Sequence, residues 1–284
     1  MELPLLRHEH VTVRGTRIHY VSAGEGHPVL LLHGFPQFWY CWRHVIPVLS
    51  QRYRVIAPDL KGYGESDKPR RRYDLPTLSD EWGEFMSALG IERFDLIGHD
   101  WGGIIAWKMA LDYPDRIRRL VILNAPFRRW RPKLYMFFFW MPLIPEFVFG
   151  RWNDAMIEEM LRLVSYDPKR SLAPAFNAED VKIYQESFKR PGAHRASLAY
   201  YRSLWRNLPA AYADRNKKIE VPTLVLWGIA DAALPVSNTL GLENEVRDIR
   251  IHYVPLAGHY IQEEQPEIVN EQILSFLTAE DRPG

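Results

Sequence analysis

The sequence holds one cysteine, Cys41, in 284 residues. An internal disulfide is therefore impossible, a cysteine-rich metal site is excluded, and the usage fits a reducing compartment. Charge of one sign is also lacking: 36 Lys and Arg stand against 35 Asp and Glu, a formal net charge of +1. Nothing in that balance calls for nucleic acid or an anionic membrane surface. Long apolar runs are missing too. The most apolar segment, LYMFFFWMPLIPEFVF, is too short to span a bilayer and is broken by Pro142, Pro145 and Glu146. MELPLLRHEHVTVRG shows no apolar stretch behind a basic start, so no signal peptide and a cytoplasmic location are expected. Internal repeats and low-complexity tracts are absent. So is any G-x-S-x-G, which leaves a serine esterase without its nucleophile.

What is present is an ordinary globular composition, 47% hydrophobic and 25% charged, with enough chain for one large domain or one domain carrying an insert. VTVRGTRIHYVSAG alternates around a glycine turn and predicts a hairpin. PVLLLHG, YRVIAPD, RFDLIGHD, IRRLVILNAP, VPTLVLWG and RIHYVP predict buried strands. Between them, CWRHVIPVLSQ predicts a helix shortened or kinked by Pro47, and LSDEWGEFMSALG and WGGIIAWKMALDYP predict longer ones. Further helices are expected near SNTLGLENEV and over PEIVNEQILSFLT. The alternation predicts a mostly parallel sheet flanked by helices on both faces. From about Phe127 to Asp214 no strand-like run occurs. NDAMIEEMLRLVSYD, AEDVKIYQESFKR and HRASLAYYRSLWRN predict helices there. The division expected is a core of residues 1–126 and 215–284, with a helical cap, 127–214, inserted after the sixth strand.

LIGHDWGG places Asp100 on a strand–turn–helix junction between Gly98 and Gly102. Small residues at plus and minus two let the chain turn sharply and push the central side chain out at the strand's carboxyl end. The helix N-terminus beside it favours an ionised carboxylate. The plainer alternative is an Asp N-cap on the following helix. As a nucleophile, a carboxylate suits attack on an sp3 carbon, which leaves an alkyl ester on the protein for water to cleave. Epoxides and haloalkanes are the matching substrates. Cleaving the ester needs a base, an acid to orient it and an oxyanion hole. His259 in LAGHYIQEEQP and Asp231 in LVLWGIAD stand in the expected chain order, both beyond strand ends. Asn124, at the alternative place for the acid, is not acidic. The backbone N–H groups of Phe35, in HGFP, and Trp101 are the expected oxyanion donors. His33, His99 and the carboxylates of GYGESD are expected to be structural.

Together HGFPQFWYCWR, APDLKGYGESDKP, GHDWGG, WGIAD and AGHYIQEEQPEIVN resemble the α/β-hydrolase-fold epoxide hydrolases, in order and over nearly the whole chain. The resemblance implies conversion of epoxides to vicinal diols through an aspartyl ester, with no cofactor and no metal. It also implies two cap tyrosines that hydrogen-bond and protonate the epoxide oxygen. Tyr201, directly before Arg202, matches the second, and Tyr135 in YMFFFWMPLIPE matches the first. Tyr200 should face elsewhere on its helix. A pocket lined by Phe35, Trp101, Phe138 and Trp140 would hold a small apolar epoxide, with water as the second reactant, in a monomer or homodimer. RRWRPKLYMFFFW is expected to roof that pocket rather than touch a membrane or a second copy. Two alternatives stand: a haloalkane or haloacid dehalogenase using the same Asp–His–Asp set, and a catalytically silent ligand-binding protein on the same fold. A common dehalogenase type has Asn where Phe35 stands, and the fluoroacetate type has Arg where Trp101 stands. One departure from the epoxide hydrolase pattern is Ile229, where an acidic residue often precedes the acid by two.

Overall fold

The computed structural model of the chain describes residues 5–128, 133–166 and 175–279. Arg129, Trp130, Arg131 and Pro132 of the expected pocket roof, and Asp167 at the end of one expected helix, lie outside the described residues. The first hairpin is β1 (Arg7–Val13) and β2 (Thr16–Ala23), turned at Arg14 and Gly15. Then come β3 (His27–Leu32), the one-turn α1 (Ile46–Leu49), β4 (Tyr53–Pro58), α2 (Leu75–Ala88), β5 (Phe94–His99), α3 (Trp101–Asp112) and β6 (Ile117–Leu123). The expected helix over CWRHVIPVLSQ is reduced to a 3-10 turn, Trp39–Trp42, and α1, with Pro47 near its start. The missing N–H of proline costs nothing in a first helical turn.

After β6 the chain leaves the sheet for α4 (Leu134–Trp140), α5 (Ile144–Val164), α6 (Ala178–Phe188), α7 (Ala193–Arg202) and α8 (Leu208–Asp214). Among the described residues of this stretch there is no strand. α5 starts earlier than its sequence pattern predicts and is bent at Trp152, whose φ of −131° is not helical. The sheet resumes with β7 (Thr223–Gly228) and β8 (Ile249–Val254), and the chain continues through α9 (Ile261–Glu264) and α10 (Pro266–Thr278). The helix expected near SNTLGLENEV is not there. That segment forms two 3-10 turns, Val236–Thr239 and Leu242–Asn244, separated by Gly241 at φ 83°. Left-handed backbone at Gly241 breaks any continuous helix.

The eight strands form one sheet in the order β1-β2-β4-β3-β5-β6-β7-β8, antiparallel at the hairpin and parallel from β4 through β8. β5 and β7 are buried along their whole length, and apart from Asp95, His99 and Thr223 their side chains are apolar or glycine. In β3, Val29, Leu30, Leu31 and Leu32 have no exposed surface, and each contributes about 1.5–3 kcal/mol of burial. Strand order reverses between β3 and β5, and the carboxyl ends there open a crevice, the usual place for a ligand in such sheets.

The helical insert is tied to the core by polar contacts as well as apolar ones. Arg43 pairs with Glu263 of α9 and, at 3.2 Å, with Asp180 of α6. The Tyr184 hydroxyl of α6 donates to the same Glu263. Burial raises the Glu263 carboxyl to about 7, although Arg43 and Tyr184 both pull it down.

Candidate active site

Asp100 sits between β5 and α3 at φ 50° and ψ −119°. That conformation costs a non-glycine residue about 1–3 kcal/mol and persists only where the surroundings enforce it. They do so here through close packing: a Cβ on Gly98 would lie 2.5 Å from Gly102 O, and one on Gly102 would lie 2.1 Å from Leu32 O. The Asp100 side chain makes no capping hydrogen bond to α3, which disposes of the helix-cap alternative. Its Oδ1 instead accepts the backbone N–H of Phe35 at 2.8 Å. The Trp101 N–H follows directly at the first residue of α3.

His259 lies in the loop after β8. Its Nδ1 donates to Asp231 Oδ2 at 2.8 Å, and its Nε2 lies 3.6 Å from Asp100 Oδ2. Asp231, just past β7, is fully occupied: Oδ1 accepts Ala233 N at 2.8 Å and Leu234 N at 2.7 Å, and Oδ2 also accepts Asn124 Nδ2 at 2.5 Å. A carboxylate so bonded can orient an imidazole but has no lone pair left to attack with. Ile229 is 54% exposed and its departure from the family pattern leaves all four of these bonds in place.

Electrostatics separate the three groups. Burial alone would raise the Asp100 carboxyl, but His259, His99 and the Phe35 N–H outweigh it and hold it below the ordinary carboxylate value. Burial alone would lower His259, but Asp231 and Asp100 on either side raise it to about 10. At neutral pH Asp100 is therefore ionised and His259 carries the imidazolium charge between the two aspartates. His99 is pushed by burial down to about 3, and its Nε2 donates to the His259 carbonyl at 2.8 Å. His33, lowered by burial to about 4, accepts Leu60 N at 2.8 Å. Asp59 accepts from His19, Trp39 N and Glu65 N. These groups hold loops and do not face the cavity.

A cavity of about 240 Å³ lies over Asp100, between the sheet and the insert. Phe35, Asp100, His259, Tyr135, Phe138 and Tyr201 are on its wall. Trp101 and Trp140, expected there, are not. The Trp101 ring packs behind Tyr201 at 5.2 Å between centroids, and Trp140 turns inward to donate its indole N–H to the Tyr201 carbonyl at 3.0 Å. A buried indole N–H needs a partner, and the carbonyl of α7 supplies it. The wall includes side chains that the sequence reading missed: Tyr260, Phe139, Ala233 and a stripe of α5, Met156, Met160, Leu163 and Val164. That stripe's helical spacing was the available signal, though such a stripe ordinarily means core. A wider hollow of about 950 Å³ beside Phe38, Trp39 and α6 holds none of the five candidate catalytic side chains.

The two phenols are held from behind. Arg202 pairs with Glu146 of α5 and donates to Phe139 O at 3.0 Å, clipping α7, which carries Tyr201, to α4, which carries Tyr135. Tyr200 points the other way and donates to Lys61 O at 2.7 Å. Burial and the Asp100 charge push the Tyr135 and Tyr201 hydroxyls well above their ordinary value, so both keep their protons at neutral pH. Among the described residues, no group of three or more His, Cys, Asp or Glu side chains is placed to hold a metal ion.

This architecture, with Asp100 on a sharp strand–turn–helix junction and a strand-end histidine and acid beside it, defines an α/β hydrolase. Residues 27–266 match the family model described as alpha/beta hydrolase fold, and the chain belongs to that family. Within it the chain is epoxide hydrolase-like. It is 36% identical over 285 residues to Epoxide hydrolase 4 of Homo sapiens, covering 94% of this chain and 77% of that protein. It is 34% identical over 284 residues to the AB hydrolase superfamily protein YfhM of Bacillus subtilis, covering 94% and 96%. The crystal structure of the epoxide hydrolase VrEH1 from Vigna radiata superposes with a TM-score of 0.88 at 28% identity, covering 96% of this chain and 97% of that one. Among the described residues no helix is long and apolar enough to cross a membrane.

Proposed function

We propose that this enzyme converts small apolar epoxides to vicinal diols through an ester on Asp100. The observation that carries the reading is the placement of one ionised carboxylate, held by the Phe35 N–H, on the same cavity wall system as two protonated phenols. Asp100 Oδ2 attacks a ring carbon and the ring C–O bond breaks. The departing oxygen takes a proton from Tyr135 or Tyr201, so no free alkoxide has to leave. The products of this step are a hydroxyalkyl ester and a phenolate.

Esterification removes the Asp100 charge, one of the two that keep His259 protonated. The imidazolium then returns a proton to the phenolate and becomes a neutral base. His259 next takes a proton from water, and the hydroxide attacks the ester carbonyl. The tetrahedral oxyanion is held by the N–H groups of Phe35 and Trp101. Collapse releases the diol and restores the Asp100 carboxylate and the His259 imidazolium. Epoxide plus water gives diol, with no proton left over. Residues 127–214 act as the cap that brings the phenols over Asp100, and the remainder of the chain is the core.

The test is a parallel assay. Styrene oxide and larger aryl epoxides are scored for diol, and 1-haloalkanes and fluoroacetate for halide. Diol alone is expected. Halide alone would assign the same acid–base set to dehalogenation and leave the phenols without a proton to give. Silence on both panels, with ligand binding retained, would make the site a binding site.

A further inference from the structure

One buried carboxylate beside the site is used by neither step of that reaction. Glu264, the last residue of α9, accepts three backbone N–H groups: Gly258 at 2.9 Å and Tyr166 at 2.6 Å on Oε2, and Tyr260 at 2.9 Å on Oε1. Gly258 and Tyr260 flank His259. The N–H of His259 itself donates to Val164 O, at the end of α5, at 2.8 Å. Three consecutive N–H groups of the histidine loop are thus taken up by one carboxylate and by the insert. The contact with the insert is close: a Cβ on Gly258 would lie 2.3 Å from Val164 O. Tyr166 follows two residues after Val164, so Glu264 bridges the histidine loop to the chain leaving α5. That helix also supplies Met156, Met160, Leu163 and Val164 to the cavity wall.

We propose that Glu264 is a positioning residue for His259, its carboxylate fixing the 258–260 backbone to the end of α5 so that aiming the water at the ester depends on the cavity wall being seated. The inference rests on the ester mechanism above. A carboxylate can accept all three N–H groups with charge-assisted bonds. A glutamine offers one acceptor oxygen and turns an NH2 toward an N–H, so at least one bond is lost and a donor faces a donor. Asp100 is held separately, by β5, α3 and the Phe35 N–H, and does not touch Glu264. Loosening the histidine loop therefore slows ester hydrolysis and spares ester formation. A displacement of the imidazole by about 1 Å costs about 10- to 100-fold in the step that uses it.

The experiment uses the full chain with styrene oxide and follows each half-reaction in a single turnover, reading the alkyl-enzyme by intact mass. E264Q is expected to form ester within about threefold of the parent rate and to hydrolyse it about 10- to 100-fold more slowly, so that ester accumulates. A general packing defect would not produce that split. If E264Q does not fold, Tyr166→Pro removes the N–H that joins Glu264 to the α5 end, together with the phenol ring, and leaves the carboxylate's bonds to Gly258 and Tyr260, so it should show the same split to a smaller degree. The inference is overturned if His259→Gln accumulates ester while the folded Glu264 or Tyr166 variant slows both half-reactions equally or neither. If His259→Gln itself accumulates no ester, the ester mechanism fails and this inference falls with it.

Discussion

His259 Nε2 lies 3.6 Å from Asp100 Oδ2, close enough to share charge and too far to hydrogen-bond. Asp100 Oδ1 is engaged by the Phe35 N–H at 2.8 Å. One oxygen of Asp100 is thus anchored by a backbone N–H, and the other lies beside the imidazole. In the proposed mechanism that same imidazole activates the water that cleaves the ester.

If Asp100 is the attacking group, replacing it should remove both half-reactions. Asp100→Ala is expected to lower kcat/KM for epoxides by at least about 10³-fold while the cavity still binds them. Steady-state kinetics alongside calorimetric titration with a diol product checks this. Retained turnover would show that water attacks the epoxide directly.

The two half-reactions should respond differently to pH. The Asp100 carboxyl is held below its ordinary value by His259 and the Phe35 N–H against the opposing effect of burial. Ester formation should therefore stay flat well into the acid range. Ester hydrolysis needs neutral His259, now beside Asp231 alone, so its rate should fall with acidification while ester formation does not. Rapid-quench measurement of both rates between pH 5 and 9 reads the difference.

Stability should carry the signature of the same imidazole. Its folded value, raised to about 10 by Asp231 and Asp100 over the effect of burial, exceeds the unfolded value of 6.5. The His259 imidazolium therefore stabilises the fold fully below pH 6.5, and that contribution is lost as pH rises toward 10. The Tm advantage of the parent protein over His259→Gln should shrink across that window. An advantage constant from pH 6 to 10 would contradict the assignment.

Tyr135→Phe and Tyr201→Phe each remove one proton donor and preserve ring packing. Each is expected to slow ester formation by about 10- to 100-fold, and the double variant by about 10³-fold or more. Ester hydrolysis, measured after the burst, should change little. Because Tyr201 is buried among Phe35, Trp101 and Phe139, the phenylalanine variant should retain the parent Tm to within a few degrees.

The parallel part of the sheet was readable because β3 to β7 are short, mostly apolar runs buried on both faces. Asp100, Asp231 and His259 could be nominated from chain order, since each must stand at a strand's carboxyl end to meet the others. Less readable was anything decided by side-chain direction within the insert. Trp140 and Phe138 are two residues apart on α4, yet Phe138 lines the cavity and Trp140 turns to the Tyr201 carbonyl. Composition cannot separate them. The α5 stripe looks the same whether it covers core or cavity. Asn124, noted only for not being acidic, bonds Asp231, Gly258 O and the Gly228 N–H together, a role visible only once three distant segments meet. The missing helix near SNTLGLENEV reflects Gly241, whose left-handed backbone outweighs the apolar spacing around it.

The central claim is that the oxygen added to the epoxide comes first from Asp100 and only later from water. A single turnover with enzyme in excess, run in H2(18)O, tests it directly. The mechanism predicts unlabelled diol and a mass increase of about 2 Da, the difference of one oxygen isotope, on the peptide containing Asp100, because water attacks the ester carbonyl. Label in the first-turnover diol with none in that peptide would contradict it and assign the attack to water.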